Sequence, residues 1–124
     1  MLSRRTFLFF SSAIVAFPLG AFAQAPFTDA AFEAAKASGK PFLIAFHADW
    51  CPTCRAQAPV VDSLADKNGF IVLRVDYDGD IDSRRAFDVR QQSTLIVYKG
   101  ANEVGRAVGI TSSDSIAALM QLAL

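Results

Sequence analysis

The sequence predicts an α/β fold with a central mixed β-sheet that is flanked by helices on both faces. Residues 41–46 and 94–98 form two short and almost continuously apolar segments, which is typical of strands buried on both faces. Residues 58–65 instead carry apolar side chains at helical spacing. Helix and strand alternate until a hairpin turn at 100–102, after which a strand and a closing helix follow. This order of elements is typical of a mixed sheet covered on both sides.

The predicted helices are defined by capping residues and by apolar spacing. Thr28 can cap a first helix, at which Phe27 can pack against Phe32. Gly39 ends that helix. Three more helices are predicted, at about residues 52–67, 82–87 and 113–122. The last helix directs three side chains inward: Ile116, Leu119 and Met120.

The predicted strands are rich in β-branched and aromatic residues and are bounded by turn residues. After the strand at 41–46, residues 70–77 have this composition, and a turn follows at 78–80. The strand at 94–98 is joined through the hairpin turn to a last strand at 103–108.

Residues 50–54, Trp-Cys-Pro-Thr-Cys, hold both cysteines of the chain and lie where an apolar strand gives way to a helix. Pro52 suits the first helical position because its missing N–H costs nothing there, and this places Cys51 at the N-cap. An N-cap side chain accepts hydrogen bonds from backbone N–H groups, and the helix dipole favours negative charge there. The pattern therefore predicts that Cys51 is stabilised as a thiolate, which is the nucleophilic form.

Cys54 lies three residues after Cys51, on the same face of the predicted helix. Residues at this spacing have Cβ atoms about 5–6 Å apart. A disulfide needs them at roughly 3.5–4.5 Å, so a small adjustment would close the bond. The spacing and the strand-to-helix position together favour a redox-active pair.

Four other interpretations of the cysteines fit the sequence less well. A structural zinc site needs four N or S ligands, and the chain offers two Cys and one His. Haem attachment needs His directly after the second Cys, where Arg55 stands. A purely structural disulfide over so few residues would contribute only about 2 kcal/mol. A pair of inert buried thiols is disfavoured by the helix start and the neighbouring Pro52 and Thr53.

Residues 1–23 have the features of an export signal. Paired Arg4 and Arg5 precede an apolar run at 7–17, and a small-x-small sequence ends the segment. This matches the twin-arginine pattern, although paired arginines also occur in general secretory signals. The apolar run is shorter than the about 20 residues that span a membrane. We therefore expect cleavage after Ala23, rather than an uncleaved anchor, and a periplasmic location.

The remaining residues, 24–124, suffice for one small domain with a single core. The formal net charge of the whole chain is zero and no basic stripe is present, so nucleic acid is not an expected partner. The sequence contains no heptads, and we expect a monomer. Two cysteines in an exported chain would ordinarily form one stable bridge, but their spacing favours a catalytic pair.

The mature chain resembles the thioredoxin family over nearly its whole length, from Phe42 through Leu122. The most specific match is residues 48–54, Ala-Asp-Trp-Cys-Pro-Thr-Cys, followed five residues later by Pro59. Weaker matches lie at residues 87–90, 94–100 and 108–109. The resemblance implies a thioredoxin-like fold.

The resemblance also implies a thiol–disulfide oxidoreductase. By this resemblance, Cys51 would attack a substrate disulfide and Cys54 would resolve the resulting mixed disulfide. The residues expected to contact the substrate are Trp50, Pro52, Thr53 and Ser93. No cofactor and no bound metal are expected.

The expected direction of the reaction is reduction of protein disulfides. Periplasmic oxidants that resemble this family usually carry an inserted helical domain, for which residues 24–124 leave no room. An exported reductase needs electrons from the cytoplasm, so a membrane thiol relay is the expected electron donor.

One departure from the family pattern is Ser93, which stands where thioredoxin-like proteins usually carry a cis-proline. A cis bond without proline costs about 2.5–4 kcal/mol, so the Gln92–Ser93 bond is predicted to be trans. Ser93 also supplies a backbone N–H and a hydroxyl that proline lacks. We expect one of these groups to touch the Cys51 sulfur or the backbone of a bound substrate.

A second departure is Ala45, where many thioredoxins carry a buried aspartate that accepts the proton of the resolving thiol. His47 lies on the same strand face, and histidine side chains commonly accept protons in catalysis. A solvated or hydrogen-bonded strand residue is nevertheless the favoured interpretation of His47, since reach to a sulfur is required. Asp49 is expected to be a surface charge.

Two functions of other classes remain open. The two thiols and His47 suit a soft ion such as Cu(I), although no methionine or histidine cluster accompanies them. An interaction domain whose disulfide acts only as a sensor is a third, weaker hypothesis.

Overall fold

A computed structural model describes residues 24–124. The predicted export signal and its cleavage point after Ala23 lie outside the described residues. Five strands and four helices follow in the order β1 (Gln24–Pro26), α1 (Asp29–Ala37), β2 (Pro41–His47), α2 (Pro52–Asn68), β3 (Ile71–Asp76), α3 (Ile81–Ala86), β4 (Thr94–Lys99), β5 (Asn102–Val108) and α4 (Ser113–Gln121). Within this part of the chain, no helix has the length and apolarity needed to cross a membrane.

The strands form one mixed sheet in the order β1-β3-β2-β4-β5. Strand β3 pairs in parallel with both β1 and β2, whereas β4 is antiparallel to β2 and to β5. The central strand β2 is buried along residues 42–46, which explains its continuously apolar sequence.

The core consists of two apolar clusters, one on each face of the sheet. Leu43 and Ala45 of β2 point to the face covered by α2 and α4, where they meet Val61 and Ile116. The alternate residues of β2 point to the opposite face, which is covered by α1 and by Phe87 after α3: Phe42, Ile44 and Phe46. The predicted mixed sheet with helices on both faces is therefore confirmed.

The local signals in the sequence place the start of α1 and the end of α2 correctly, whereas α3 begins and ends one residue earlier than predicted. Thr28 accepts a hydrogen bond from the Ala31 N–H over 3.0 Å at the start of α1, and the rings of Phe27 and Phe32 lie 5.8 Å apart. Gly69 adopts a left-handed conformation, with φ of 71°, and ends α2. In α4, the three residues predicted to face inward are buried: Ile116, Leu119 and Met120.

Strand β1 was not predicted from the sequence. It has three residues, none of them β-branched or aromatic, and it lies at the edge of the sheet beside β3. Pro26 is compatible with this position because one side of an edge strand makes no ladder hydrogen bonds.

Candidate active site

Cys51 is the N-cap of α2, as the sequence predicts. The short segment between the end of β2 and Pro52 brings it to the start of the helix. The Cys54 backbone N–H donates a hydrogen bond to Cys51 Sγ over 3.2 Å. The first turn of the helix therefore directs an amide group at the sulfur that is expected to carry negative charge.

Both cysteines are free thiols in this structure, and both are buried. Cys51 is 2% exposed and Cys54 is 1% exposed, and the two pack together with Ala48 and Tyr77. The burial is what an inert pair of thiols would show. The hydrogen bonds at Cys51 Sγ, from the Cys54 N–H and with the Ser93 hydroxyl, argue against that interpretation.

The two thiols have pKa values that move in opposite directions. Burial alone would raise the pKa of Cys51, but hydrogen bonds from the Cys54 side chain, the Ser93 hydroxyl and the N–H groups of Cys54 and Thr53 together lower it. Burial raises the pKa of Cys54, and its side-chain interaction with Cys51 adds to the rise. Ionisation is therefore favoured at Cys51 and disfavoured at Cys54.

Ser93 lies directly against the two sulfurs. Its hydroxyl oxygen is 3.5 Å from Cys51 Sγ and 3.2 Å from Cys54 Sγ. The Gln92–Ser93 bond is trans, as predicted, and the residues 24–124 include no cis peptide bond. Ser93 has a φ of 62°, a left-handed conformation that is uncommon for residues other than glycine.

The backbone of Ser93 is held by neighbouring segments. Its N–H donates to the Phe46 carbonyl over 2.9 Å, and its carbonyl accepts from the Gly109 N–H over 3.0 Å. The same carbonyl accepts a hydrogen bond from Gln57 Nε2 over 3.2 Å. Of the two groups that the sequence offered at this position, the hydroxyl contacts the sulfurs and the N–H is engaged within the fold.

Gln57 is a site residue that the sequence interpretation missed. It is 4% exposed, and its amide also donates to the Ile110 carbonyl over 2.8 Å. A signal was present, because Gln57 is a polar residue on the buried stripe of α2, one turn after Cys54 and one turn before Val61.

The expected substrate-contacting residues of the motif lie at the surface around the sulfurs. Trp50 is 59% exposed, and its indole N–H donates to Asp78 Oδ2 over 2.6 Å. Pro52 is exposed and Thr53 is half-buried. Asp78 lies in the turn after β3, far from Trp50 in sequence, and no local pattern indicated this contact.

His47 contacts Asp49 rather than a sulfur. His47 Nε2 and Asp49 Oδ1 lie 3.0 Å apart, and the Asp49 side chain is fully exposed. Both residues line a surface cavity of about 510 Å³, together with Arg74 and Asp76. His47 is thus a hydrogen-bonded strand residue, and Asp49 is a surface charge, as the favoured interpretations had it.

The position of Ala45 provides no proton acceptor. Ala45 is buried in the core, and its partner in the parallel pairing with β3 is Arg74. Arg74 forms an ion pair with Asp62 of α2 over 3.3 Å.

The side chains around the sulfurs do not form a recognisable metal site. No group of three or more Cys, His, Asp or Glu side chains suited to a metal ion occurs between residues 24 and 124. The third group against the two sulfurs is the Ser93 hydroxyl, which is a harder donor than a soft ion prefers.

Comparison with known proteins agrees with this geometry. The sequence profile of the Thioredoxin family matches residues 23–122. The chain belongs to the thioredoxin family. With Cys51 and Cys54 adjacent at the start of α2, it is a thioredoxin-like thiol–disulfide oxidoreductase.

Individual relatives cover most of the described chain. A thioredoxin of Alicyclobacillus acidocaldarius is 31% identical over 93 residues, which cover 73% of this chain and 89% of that protein. A bifunctional thioredoxin reductase/thioredoxin of Mycobacterium leprae is 38% identical over 85 residues, which cover 66% of this chain. That match spans only 19% of the Mycobacterium protein.

Solved structures include near relatives as well. The crystal structure of Trxlp from Edwardsiella tarda superposes with a TM-score of 0.73 and 38% sequence identity. The superposition covers 78% of this chain and 97% of that one.

Proposed function

We propose that this protein is a periplasmic disulfide reductase that works through a mixed disulfide on Cys51. The observation that carries the proposal is the pairing of two unlike thiols at the start of α2. Cys51 accepts the Cys54 N–H and has a lowered pKa, whereas the adjacent Cys54 has a raised one.

The reaction follows from this asymmetry. The Cys51 thiolate attacks one sulfur of a substrate disulfide, a Cys51–substrate disulfide forms, and the other substrate sulfur leaves as a thiolate. Cys54 then loses its proton and attacks Cys51 Sγ, which releases the second substrate thiolate. The substrate gains two electrons and the protein is left with a Cys51–Cys54 disulfide.

The substrate would contact the surface formed by Trp50, Pro52, Thr53 and Ser93. Trp50 offers an exposed ring, held by Asp78, beside the buried sulfur. Because Cys51 is 2% exposed, a substrate sulfur reaches it only when the neighbouring side chains move aside. We infer that a protein substrate binds Trp50 first and then displaces the side chains that cover Cys51.

The proposed location rests on residues 1–23, with Arg4 and Arg5 before an apolar run and cleavage after Ala23. A reductase in an oxidising compartment must be re-reduced after each turnover. A membrane thiol relay that carries electrons from the cytoplasm is the proposed donor.

Turnover of a protein disulfide tests the proposed chemistry. Reduction of insulin by dithiothreitol is measured with the wild-type protein, with Cys51→Ser and with Ser63→Ala, an exposed α2 residue that serves as the control. We expect catalysis by the wild type and the control, and none by Cys51→Ser. Catalysis by Cys51→Ser, or none by the wild type, would contradict the proposal.

The direction and the location have separate tests. A reduction potential of about −270 mV for the cysteine pair would support a reductant. A potential of about −120 mV would indicate an oxidant. Fractionation of cells that make the full chain tests export, and replacing Arg4 and Arg5 by lysine tests the pathway. Accumulation of the unaltered chain in the cytoplasm would contradict the proposed location.

A further inference from the structure

The resolving step requires Cys54 to lose a proton at a place that bulk water does not reach. Cys54 is 1% exposed, and burial raises its pKa. Ala45, on the neighbouring strand, cannot titrate. Another group must therefore accept the Cys54 proton.

The titratable or hydroxyl groups nearest in sequence and packing are engaged elsewhere. His47 pairs with Asp49 over 3.0 Å. The Tyr77 hydroxyl, although its ring packs against the cysteines, donates to the Arg90 carbonyl over 3.0 Å. Asp78 accepts the Trp50 indole N–H.

The Ser93 hydroxyl lies against both cysteine sulfurs. It lies 3.2 Å from Cys54 Sγ and 3.5 Å from Cys51 Sγ, so one oxygen can accept a hydrogen bond from the first sulfur and donate one toward the second. Among the hydrogen bonds of residues 24–124, it is the one side-chain oxygen on Cys54 Sγ.

We propose that the Ser93 hydroxyl is a catalytic group that relays the Cys54 proton to the departing substrate sulfur. In the mixed disulfide, the substrate sulfur is bonded to Cys51 Sγ. As Cys54 Sγ forms its bond to Cys51 Sγ, its proton passes to Ser93 Oγ. The proton that Ser93 Oγ carried passes to the substrate sulfur, which leaves with the electron pair of the broken bond. Ser93 is unchanged at the end of the step. This inference rests on the reductase mechanism proposed above.

The backbone at Ser93 supports a functional role for its side chain. Ser93 adopts a φ of 62°, and three hydrogen bonds fix it there: its N–H donates to the Phe46 carbonyl, and its carbonyl accepts from the Gly109 N–H and from Gln57. Glycine would fit this conformation with less strain. Unfavourable conformations of this kind persist where the surrounding structure holds them, and they cluster at active sites.

The relay is tested by comparing Ser93→Ala with Ser93→Gly. Both variants lack the hydroxyl, but Ala keeps the Cβ that strains the left-handed backbone in the wild type, whereas Gly relieves that strain. Each reduced protein is mixed with oxidised glutathione and quenched at successive times. The Cys51–glutathione adduct and the Cys51–Cys54 disulfide are then quantified by mass spectrometry. Unchanged circular dichroism shows that both variants are folded.

We expect both variants to resolve the adduct on the order of 100-fold more slowly than the wild type. We expect a smaller slowing with 5,5′-dithiobis(2-nitrobenzoate), because its weakly basic thiolate leaves without needing a proton. Equal slowing with the two disulfides would overturn proton delivery to the departing sulfur.

Two other outcomes would also overturn the relay. One is a wild-type resolving rate in both variants. The other is a wild-type rate in Ser93→Gly alone, which would assign the effect to the backbone. Failure of the proposed function looks different, because the wild type would then form no Cys51 adduct at all.

Discussion

Gln57 donates one hydrogen bond to the Ser93 carbonyl over 3.2 Å and another to the Ile110 carbonyl over 2.8 Å. One buried amide thus ties α2 to the loop before β4 and to the loop after β5. Because α2 also carries both cysteines, Gln57 fixes the distance between the Ser93 hydroxyl and the sulfurs.

Replacing Gln57 by Leu is predicted to lower the free energy of unfolding by about 1–3 kcal/mol, since the Ile110 carbonyl loses its buried donor. Urea unfolding measures this change. Gln121→Leu, at an exposed position of α4, is the control and is expected to change it by less than about 0.5 kcal/mol. Equal stability of the two variants would show that the Gln57 hydrogen bonds contribute nothing.

The lowered pKa of Cys51 predicts a pH dependence for its alkylation. A lowered pKa means that the thiolate persists at pH values where an ordinary cysteine is protonated, and that its reactivity falls only as the pH drops below that lowered pKa. Iodoacetamide labelling of the reduced protein, with the adduct assigned to Cys51 by mass spectrometry, gives the midpoint.

The Ser93→Ala variant provides the comparison for this profile. It removes one of the hydrogen bonds that lower the Cys51 pKa, so the midpoint is predicted to move to higher pH. A wild-type midpoint at or above that of a free cysteine would refute the assignment of Cys51 as the ionised thiol.

The hydrogen bond from Trp50 to Asp78 predicts an effect on substrate binding rather than on stability. Both side chains are at the surface, so Asp78→Ala is expected to change the free energy of unfolding by less than about 0.5 kcal/mol. The freed Trp50 ring is expected to raise KM for insulin several-fold and to leave the reaction with 5,5′-dithiobis(2-nitrobenzoate) unchanged. Asp66→Ala, at an exposed position of α2, is the control; an unchanged KM in Asp78→Ala would argue against a substrate surface at Trp50.

The centre of the sheet is predicted to dominate stability. Phe42 is fully buried, and its ring stacks on Tyr98 with centroids 4.9 Å apart. Phe42→Ala is expected to lower the free energy of unfolding by about 3–5 kcal/mol. The exposed Ile81 provides the comparison. Ile81→Ala is expected to lower the free energy of unfolding much less in the same urea experiment.

Much of this fold is predictable from sequence because its signals are local. The apolar run at β2, the cap at Thr28 and the glycine after α2 each determine an element or an element end by themselves. The placement of Cys51 at an N-cap is of the same kind, since Pro52 follows it directly.

The rest of the site depends on contacts between segments that are distant in sequence. Ser93 contacts the two sulfurs although about 40 positions separate it from the cysteines in sequence, and Trp50 contacts Asp78, which lies 28 positions away. The left-handed backbone of Ser93 and the burial of both sulfurs arise only when β4, α2 and the loop after β5 pack together. No periodicity in the sequence carries that information.

Trapping the mixed disulfide tests the central claim, that Cys51 attacks and Cys54 resolves, most directly. The Cys54→Ser protein is incubated with a disulfide substrate, and the adduct is located by mass spectrometry, with Cys51→Ser treated in parallel. We predict a stable adduct on Cys51 in the first variant and none on Cys54 in the second. An adduct that forms equally well on Cys54, or no adduct on Cys51, would contradict the account.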